Sequence, residues 1–150
     1  MECPYCHKPV TVVTNSRPTK ENAQIWRRRR CVNCKAVFTT HEVIDLSHLV
    51  VIKKSGQPEM YNHMKLYTGI YRATISKTNN RAKKVDRTTL EVERELLFLK
   101  RKRINSEDIG DIVLNKLKKV DTGMFLRFLA YSKDITSEYQ MKKELETHLK

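Results

Sequence analysis

Residues 26–40, WRRRRCVNCKAVFTT, place four consecutive arginines directly before the pair Cys31-x-x-Cys34. The chain contains four cysteines, and the other two form a matching pair, Cys3-x-x-Cys6, near the first residue. A tetrahedral Zn²⁺ ion takes four thiolates at about 2.3 Å, and each C-x-x-C turn supplies two of them. Because four cysteines fill the coordination shell, the spacing predicts one structural zinc ion per chain.

Two other interpretations of the cysteines stay open. The pairs could be redox-active C-x-x-C motifs or ordinary buried cysteines. His7 follows Cys6 directly and has the chemistry to replace one thiolate as a ligand. Four cysteines make that replacement unnecessary. The expected ligands are therefore Cys3, Cys6, Cys31 and Cys34.

The arginine run carries more positive charge than the predicted metal site offsets. Zinc with four thiolates has a formal charge of about −2, which does not neutralise four guanidinium groups. Arginine binds phosphate through a bidentate fork, and a metal-anchored strand would hold that fork in place. The candidate phosphate-binding residues are Arg17, Arg27, Arg28, Arg29 and Arg30. Arg17 is the weaker candidate, because it lies in a predicted turn.

Strand geometry limits how many of these arginines act together. In a β-strand, Arg27 and Arg29 would point to one face, and Arg28 and Arg30 would point to the other. The alternative to phosphate binding is a solvated basic face. Trp26 is suited either to stacking on a base or sugar, or to packing in a domain with little core.

The charge balance of the whole chain is strongly basic. Thirty Lys plus Arg stand against 17 Asp plus Glu, a formal net charge of +13 over 150 residues. This balance favours a polyanionic partner, although a merely soluble basic protein is the alternative. No segment approaches the roughly 18 apolar residues of a membrane span, so no membrane partner is expected. The opening MECPYCHKPV has no signal-peptide pattern, which predicts a cytoplasmic protein.

Composition divides the chain into two predicted domains, residues 1–46 and residues 47–150. The first contains every cysteine and a turn-prone NSRPTKEN segment. Its three short β-type stretches are Val10–Thr14, Ala23–Trp26 and Ala36–Thr40. The second opens with an apolar run and a Ser55-Gly56 turn, which predict a β-hairpin, and continues with helical periodicity. The sequence therefore predicts an α+β protein.

Five helices are predicted after the hairpin. The first starts near Asn62 and runs through HMKLYTGIYRATISK, and the fourth covers GMFLRFLAYSK. Thr88-x-x-Glu91 and Ser137-x-x-Gln140 have the spacing of capping boxes for the second and fifth helices. Ser106 is the predicted N-cap of the third helix. The residues expected to face the core include Val92, Leu96, Leu99, Ile109, Ile112, Val113 and Leu117.

Three lysines around the hairpin form a candidate phosphate site. Lys53 and Lys54 leave its first strand, and Lys65 lies in the first turn of the next helix, whose free N–H groups favour anions. Glu59 would then be free to accept hydrogen bonds from a sugar or a base. The alternative is an ordinary solvated hairpin. No Walker-type or dinucleotide-binding glycine motif is present.

Two further basic clusters, Arg81–Lys84 and Lys100–Arg103, flank the second predicted helix. Lys100–Arg103 lies at its predicted C-terminus, where the helix dipole favours cations. We therefore interpret this cluster as structural first. A second contact with nucleic acid is the alternative.

The order of the motifs resembles the NrdR family of bacterial transcriptional repressors of ribonucleotide reductase genes. MECPYC, NSRP, IWRRRRCVNC and FTTHE follow the order and intervals of that family's M-x-C-P-x-C, D-S-R, I-R-R-R-R-E-C-x-x-C and F-T-T-x-E motifs. The resemblance covers nearly the whole chain. It implies a small β zinc ribbon, residues 1–46, that binds double-stranded operator DNA through the arginines. A mainly α-helical ATP-cone domain with an N-terminal hairpin, residues 47–150, follows.

The resemblance also implies which residues bind adenine nucleotides. The opening motif of the ATP-cone and a serine at the head of its third helix carry these contacts. They fall on Val51, Lys53, Lys54, Glu59, Tyr61, Lys65 and Ser106. ATP and dATP are the implied effectors, and their binding is expected to control the state of a homo-oligomer and its DNA affinity.

The predicted function is therefore a nucleotide-sensing repressor without catalytic residues, in the bacterial cytoplasm and on the nucleoid when bound to DNA. The alternative is a general nucleic-acid-binding zinc ribbon accessory protein without nucleotide regulation. A nucleotide hydrolase is a third class. The closed metal shell and the lack of a carboxylate pair beside the candidate lysines argue against it.

Overall fold

The computed structural model describes residues 1–19, 24–74 and 80–149. The chain divides into two compact units, Met1–Asp45 and Leu46–Lys150. Within the described residues, no helix is both long and apolar enough to cross a bilayer. The predicted α+β class is confirmed, since a small antiparallel sheet precedes a helix-rich unit.

The first unit is a three-stranded antiparallel sheet in the order β1-β2-β3. Its strands are β1 Thr11–Pro18, β2 Gln24–Cys31 and β3 Val37–Val43. Among its described residues only Cys3 and Cys31 are fully buried. The part of this unit that the structure describes therefore has no apolar core of its own, and a structural metal is the kind of element that stabilises a domain this small.

The predicted NSRPTKEN turn is wrong over its first half. Asn15–Pro18 continues β1, and Arg17 pairs with Trp26 across the sheet. An irregularity in the register between Val13 and Asn15 lets the strand stay paired. Residues 20–22 lie outside the described residues, as does Ala23 at the predicted start of the second strand.

The second unit opens with the predicted hairpin, formed by β4 Val50–Ile52 and β5 Pro58–Met60. A further strand, β6 Arg103–Asn105, pairs in parallel with β4, so the sheet order is β5-β4-β6. Strand β6 was not expected from the sequence. It begins at the last residue of the basic cluster that was expected at a helix C-terminus.

Five helices make up the rest of the described second unit. They are α1 His63–Arg72, α2 Arg81–Phe98, α3 Ser106–Val120, α4 Thr122–Ser132 and α5 Glu138–Leu149. The largest fully buried apolar side chains come from α1 to α4. They include Ile70, Val85, Val92, Val113, Leu114, Leu117, Phe125 and Leu129. The prediction that α4 is a central core helix is confirmed.

Helix starts follow the sequence where a cap is present. The side chain of Asn62 accepts hydrogen bonds from the N–H groups of Met64 and Lys65, at 2.9 and 3.2 Å, and starts α1 as predicted. Ser137 Oγ accepts from the N–H of Gln140 at 3.2 Å ahead of α5. Asn105 is the N-cap of α3, so the predicted cap Ser106 is instead its first residue.

The predicted start of α2 at Thr88 is wrong. The helix begins at Arg81, and Thr88 is fully buried inside it. Val85 is also fully buried, so the turn of α2 before Thr88 packs against the core. The other end also differs, because Leu99 is the C-cap and 37% exposed rather than part of the buried stripe. The first helix ends at Arg72, and residues 75–77 of its predicted extension lie outside the described residues.

Candidate functional site

The four cysteines lie together at one end of the first unit. Their Sγ atoms are all within 4.8 Å of one another. Cys3 and Cys34 are 3.7 Å apart at sulfur, and Cys6 and Cys31 are 3.6 Å apart. Four thiolates around zinc at about 2.3 Å have sulfur–sulfur distances near 3.8 Å by tetrahedral geometry. The donor set and its spacing therefore fit a structural zinc ion.

Both C-x-x-C turns have the same backbone form. The residue after each second cysteine is left-handed, with φ of 55° at His7 and 61° at Lys35. The Cys3 N–H donates to the carbonyl of Lys8 at 3.0 Å, and the Cys31 N–H donates to that of Ala36 at 2.9 Å. Because the two turns have the same form, each directs two sulfurs toward the same centre.

The environment of the cluster favours ionisation of Cys6 and opposes ionisation of Cys34. The N–H of Lys8, helped by the neighbouring thiols, lowers the pKa of Cys6 to about 6. The N–H of Ala36 acts in the same direction on Cys34, but burial and the three other sulfurs outweigh it and raise that pKa to about 12. Four thiolates this close together need a cation among them, which zinc supplies.

His7 does not join the cysteines. Its Nδ1 lies 2.9 Å from a carboxylate oxygen of Glu2, and the side chain is exposed. Asn33 instead approaches the cluster, with its Nδ2 at 3.9 Å from the sulfur of Cys6. The expectation that four cysteines leave no need for His7 therefore agrees with the geometry.

The arginine run lies in β2, where its side chains alternate as predicted. Arg28 and Arg30 are exposed, whereas Arg27 and Arg29 are half-buried. Cross-strand register places Arg17 opposite Trp26, on the same face as Arg28 and Arg30. We call the face that carries Arg17, Trp26, Arg28 and Arg30 the arginine face.

The other two arginines have partners inside the sheet. Arg27 Nη2 lies 2.6 Å from a carboxylate oxygen of Glu42 on β3. Arg29 Nε donates to the hydroxyl of Thr40 at 3.0 Å. Both partners belong to the strand that follows the second cysteine pair. Arg27 and Arg29 therefore help to hold β2 against β3.

Arg17 is held by an aromatic ring. Its guanidinium carbon lies 4.4 Å from the centroid of the Trp26 ring. This is a cation–π geometry, which orders a long side chain that would otherwise move in solvent. Trp26 therefore packs against an arginine.

A cavity of about 410 Å³ lies in the second unit between the hairpin, α1, α3 and α4. Six of the candidate nucleotide residues line it: Val51, Lys54, Glu59, Tyr61, Lys65 and Ser106. Further lining residues from the helices were not expected from the sequence: Leu66, Gly69, Ile109, Gly110, Phe128, Tyr131 and Lys133. The size of the cavity falls within the range of small-molecule sites.

Lys53, which is not a lining residue, joins the cavity through Glu59. Lys53 Nζ and Lys65 Nζ each lie 2.7 Å from the same Glu59 oxygen. The two lysines lower the pKa of Glu59, Lys53 most strongly. Both lysines contact Oε2, so the expectation that Glu59 accepts hydrogen bonds from a ligand stays a prediction for its other carboxylate oxygen.

Two other candidate residues present only part of their side chains to the cavity. The Tyr61 hydroxyl donates to Glu93 at 2.9 Å, and burial beside that carboxylate raises the pKa of Tyr61. Lys54 Nζ donates to the carbonyl of Ser132 at 3.3 Å, which connects the hairpin to the end of α4. Ser106 lies in the first turn of α3 beside Glu107, which also lines the cavity.

Both parts of the chain match known families. Residues 1–42 match the model described as "Transcriptional repressor NrdR-like, N-terminal domain", and residues 49–134 match the ATP cone domain. Proteins named "Transcriptional repressor NrdR" are similar over nearly the full chain. The one from Thermoanaerobacter sp. (strain X514) is 34% identical, covering 99% of this chain and 89% of its own. The one from Polynucleobacter necessarius is 35% identical, covering 97% and 100%.

These matches decide the family. The chain belongs to the NrdR family of transcriptional repressors. The match to the NrdR ribbon includes all four clustered cysteines, and the ATP-cone match includes every residue predicted to contact nucleotide. The NrdR relatives are named as repressors rather than as enzymes.

Proposed function

We propose that this protein is a nucleotide-sensing repressor that binds operator DNA upstream of ribonucleotide reductase genes. In this proposal the zinc ribbon, residues 1–46, contacts DNA, and the ATP-cone, residues 47–150, binds ATP or dATP. Nucleotide occupancy sets how protomers associate, and association sets DNA affinity. The protein would act in the bacterial cytoplasm, on the nucleoid when bound to DNA.

The observation that carries the DNA-binding part is the arginine face beside the cysteine cluster. Arg28 and Arg30 are exposed there without a side-chain partner among the described residues, and Arg17 is braced on Trp26. A two-stranded or three-stranded β-ribbon can present such guanidinium groups to phosphates or to guanine edges. In this proposal Arg27 and Arg29 lie on the opposite face and do not contact DNA. They stabilise the sheet through Glu42 and Thr40.

The cavity supports the nucleotide part of the proposal. Its wall at α1 and the hairpin carries two lysines, Lys54 and Lys65, and one carboxylate, Glu59, whereas its wall at α3 carries Glu107. Phosphates are therefore expected at the α1 side. Aromatic rings from α4, Phe128 and Tyr131, offer a surface for the base.

Coupling between the two functions follows from linkage. If dATP and ATP stabilise different assemblies, each assembly presents a different number of ribbons at a different spacing. Joining weak DNA-binding modules raises overall affinity without any new contact. The coupling is reciprocal, so DNA must also change the preference of the cone for one nucleotide.

The test combines gel shift and native mass measurement on the zinc-loaded full chain. Promoter DNA of a reductase gene is titrated with nucleotide-free, ATP-loaded and dATP-loaded protein, and a scrambled duplex serves as control. We expect operator affinity and oligomer mass to change together between ATP and dATP. Equal operator affinity in all three states would overturn the sensing proposal, and equal affinity for operator and scrambled DNA would overturn sequence-specific repression.

A second candidate is a general nucleic-acid-binding protein with a purely structural cone. The observation that favours it is the pairing of Lys53 and Lys65 with Glu59, which leaves less charge for phosphates. Nucleotide binding measured by calorimetry separates the two. The second candidate predicts no heat of binding for ATP or dATP and no effect of either on oligomer mass.

A further inference from the structure

A second cationic surface lies on the ATP-cone, and none of its residues lines the cavity. We call residues 98–103, FLKRKR, the α2-end segment. All six residues are exposed, and Phe98, at 82%, is the most exposed large hydrophobic side chain in the described chain. Four consecutive cations follow it after Leu99. The segment thus combines an aromatic ring in solvent with a dense positive charge.

Several other lysines of this unit form ion pairs with carboxylates of the same unit. Lys84 is paired with Asp121 at 2.8 Å, Lys116 with Glu95 at 2.6 Å and Lys133 with Asp111 at 2.7 Å. Within the described residues, none of the four cations in Lys100–Arg103 makes a side-chain hydrogen bond or an ion pair. Their mutual repulsion is therefore not relieved by the protein.

The backbone of the α2-end segment is nevertheless held at several points. The Lys100 N–H donates to the carbonyl of Leu97 at 3.1 Å, closing the end of α2. The carbonyl of Lys102 accepts from the N–H of Val50 at 2.9 Å, and Arg103 begins β6 beside β4. The cations are thus presented from an anchored turn and strand. Anchoring reduces the entropy that is lost when a ligand orders them.

Lys100 has a left-handed backbone conformation. Its φ is 51°, in the left-handed region that favours glycine. A lysine at this position has no folding advantage over glycine, while its charge extends the basic run. The charge of Lys100, and not its conformation, is what bears on a ligand, since Lys35 in the ribbon has a similar φ of 61°.

We infer that the α2-end segment is a second DNA contact, in which the four cations bind phosphates and Phe98 packs against the exposed sugar or base edges beside them. Polyphosphate backbones match closely spaced cations, and an aromatic ring that packs against a sugar adds apolar contact that does not depend on sequence. A symmetric contact between the α2-end segments of two copies is a poorer alternative, because it would bring two runs of four cations together. This inference rests on the proposed DNA-binding function and adds a contact outside the ribbon.

The test compares two full-chain, zinc-loaded variants that lose equal charge. The first is K100Q/R101Q/K102Q/R103Q. The control is K83Q/K119Q/K142Q/K143Q, which removes four exposed cations of the same unit that lie outside the segment. Duplex affinity is measured from low to high salt. The slope of log affinity against log salt should fall by about 0.9 for each phosphate that the protein no longer neutralises, in the first variant only. Equal slopes for the two variants would overturn the inference.

Two single substitutions separate binding from folding. Lys100→Gly removes one charge and relieves the left-handed conformation, so we expect weaker DNA binding with no loss of thermal stability. Phe98→Ala should weaken DNA binding without changing the salt slope, because it removes an uncharged group. If Phe98→Ala instead lowers the oligomer mass and leaves DNA binding intact, the segment is a protein interface and the inference fails. Binding of the wild type, but not K100Q/R101Q/K102Q/R103Q, to anionic lipid vesicles with unchanged DNA affinity would overturn it as well.

Failure of this inference is distinguishable from failure of the proposed function. Arg28→Ala with Arg30→Ala should remove the preference for operator over scrambled DNA. The glutamine variant of the α2-end segment should keep that preference while lowering affinity for both duplexes. Loss of preference in the glutamine variant would place sequence recognition on the cone and contradict both assignments.

Discussion

Arg17 and Trp26 face each other across β1 and β2, with the guanidinium carbon 4.4 Å from the ring centroid. The contact ties an arginine distant in sequence to the strand that carries the other arginines. It also explains how Arg17, from a stretch that looks like a turn, reaches the arginine face. Trp26 is the single tryptophan of the chain, so its fluorescence reports on this contact directly.

Replacing the ring should weaken DNA binding by releasing Arg17. A surface cation–π contact is worth about 0.5–1 kcal/mol. Trp26→Leu is therefore expected to reduce operator affinity by roughly two- to fivefold, measured by fluorescence anisotropy of labelled DNA. Trp26→Phe keeps an aromatic face and should lose less. Equal losses for the two variants would show that Trp26 acts through packing and not through Arg17.

The two faces of β2 should respond differently to substitution. Arg28→Ala and Arg30→Ala remove exposed guanidinium groups that we propose contact base edges, so each should lower operator affinity more than affinity for scrambled DNA. Arg27→Ala should chiefly lower the thermal stability of the ribbon, because it breaks the 2.6 Å ion pair with Glu42. Glu42→Gln is the matched control, since it weakens the same pair and leaves every arginine in place. A strong DNA defect in Arg27→Ala with unchanged stability would contradict this division.

Zinc removal should unfold the ribbon and spare the cone. The buried apolar cluster of the described chain lies entirely within residues 46–149, so the helices do not depend on the metal. Cys34→Ser, or chelation, is expected to abolish zinc content and DNA binding. Far-UV circular dichroism should retain the helical signal, and nucleotide binding should persist. Loss of the helical signal together with zinc would mean that the two units fold as one.

The metal site and the hairpin could be predicted from the sequence because their signals are local. Two C-x-x-C turns supply all four sulfurs, and alternation alone separates Arg27 and Arg29 from Arg28 and Arg30. Register across strands is not local. The sequence does not show that Glu42 contacts Arg27. Alternation therefore divides the four arginines between two faces, but it does not predict which face is exposed and which is half-buried.

The wrong or missing predictions for the second unit, the start of α2 and the strand β6, also have specific causes. The first turns of α2 are polar, with Val85 their only large apolar residue in a run of charges. Asn80 is a residue type that is favoured at an N-cap, but it adopts a left-handed conformation and makes no side-chain cap hydrogen bond. Thr88-x-x-Glu91 imitates a capping box in the interior of the helix. The strand β6 has three residues and one buried side chain, Ile104, and it forms only because β4 lies beside it.

Asp121 should stabilise the cone by capping α4 and pairing with Lys84. Its carboxylate accepts from the N–H of Met124 at 3.0 Å and from Lys84 at 2.8 Å. Asp121→Ala is expected to lower the free energy of unfolding by about 0.5–2 kcal/mol, the usual range for replacement of an N-cap residue by alanine. Asp121→Asn keeps a good cap and should cost less. Chemical denaturation followed by circular dichroism measures both.

The pH dependence of this effect has a definite sign. Lys84, then the N–H of Met124, lowers the pKa of Asp121 below its unfolded value of about 3.9. The charged carboxylate of Asp121 therefore makes its full contribution to the free energy of unfolding above the unfolded pKa. This contribution disappears as the pH falls through the folded pKa. The stability difference between wild type and Asp121→Asn should narrow below about pH 4. A difference that stays constant down to about pH 2 would show that the charge is not involved.

Glu59 sets the charge available to phosphates in the cavity. It holds the ammonium groups of Lys53 and Lys65, both at 2.7 Å, so removing its charge should strengthen the attraction of the pair for polyanions. Glu59→Gln is expected to raise affinity for inorganic tripolyphosphate by roughly two- to fivefold at low salt, as for an exposed charge pair. Lys65→Gln should lower it. Glu91→Gln, on α2 and paired with Arg87, is the control. Calorimetry measures all three, and weaker tripolyphosphate binding by Glu59→Gln would instead assign Glu59 the role of positioning the lysines.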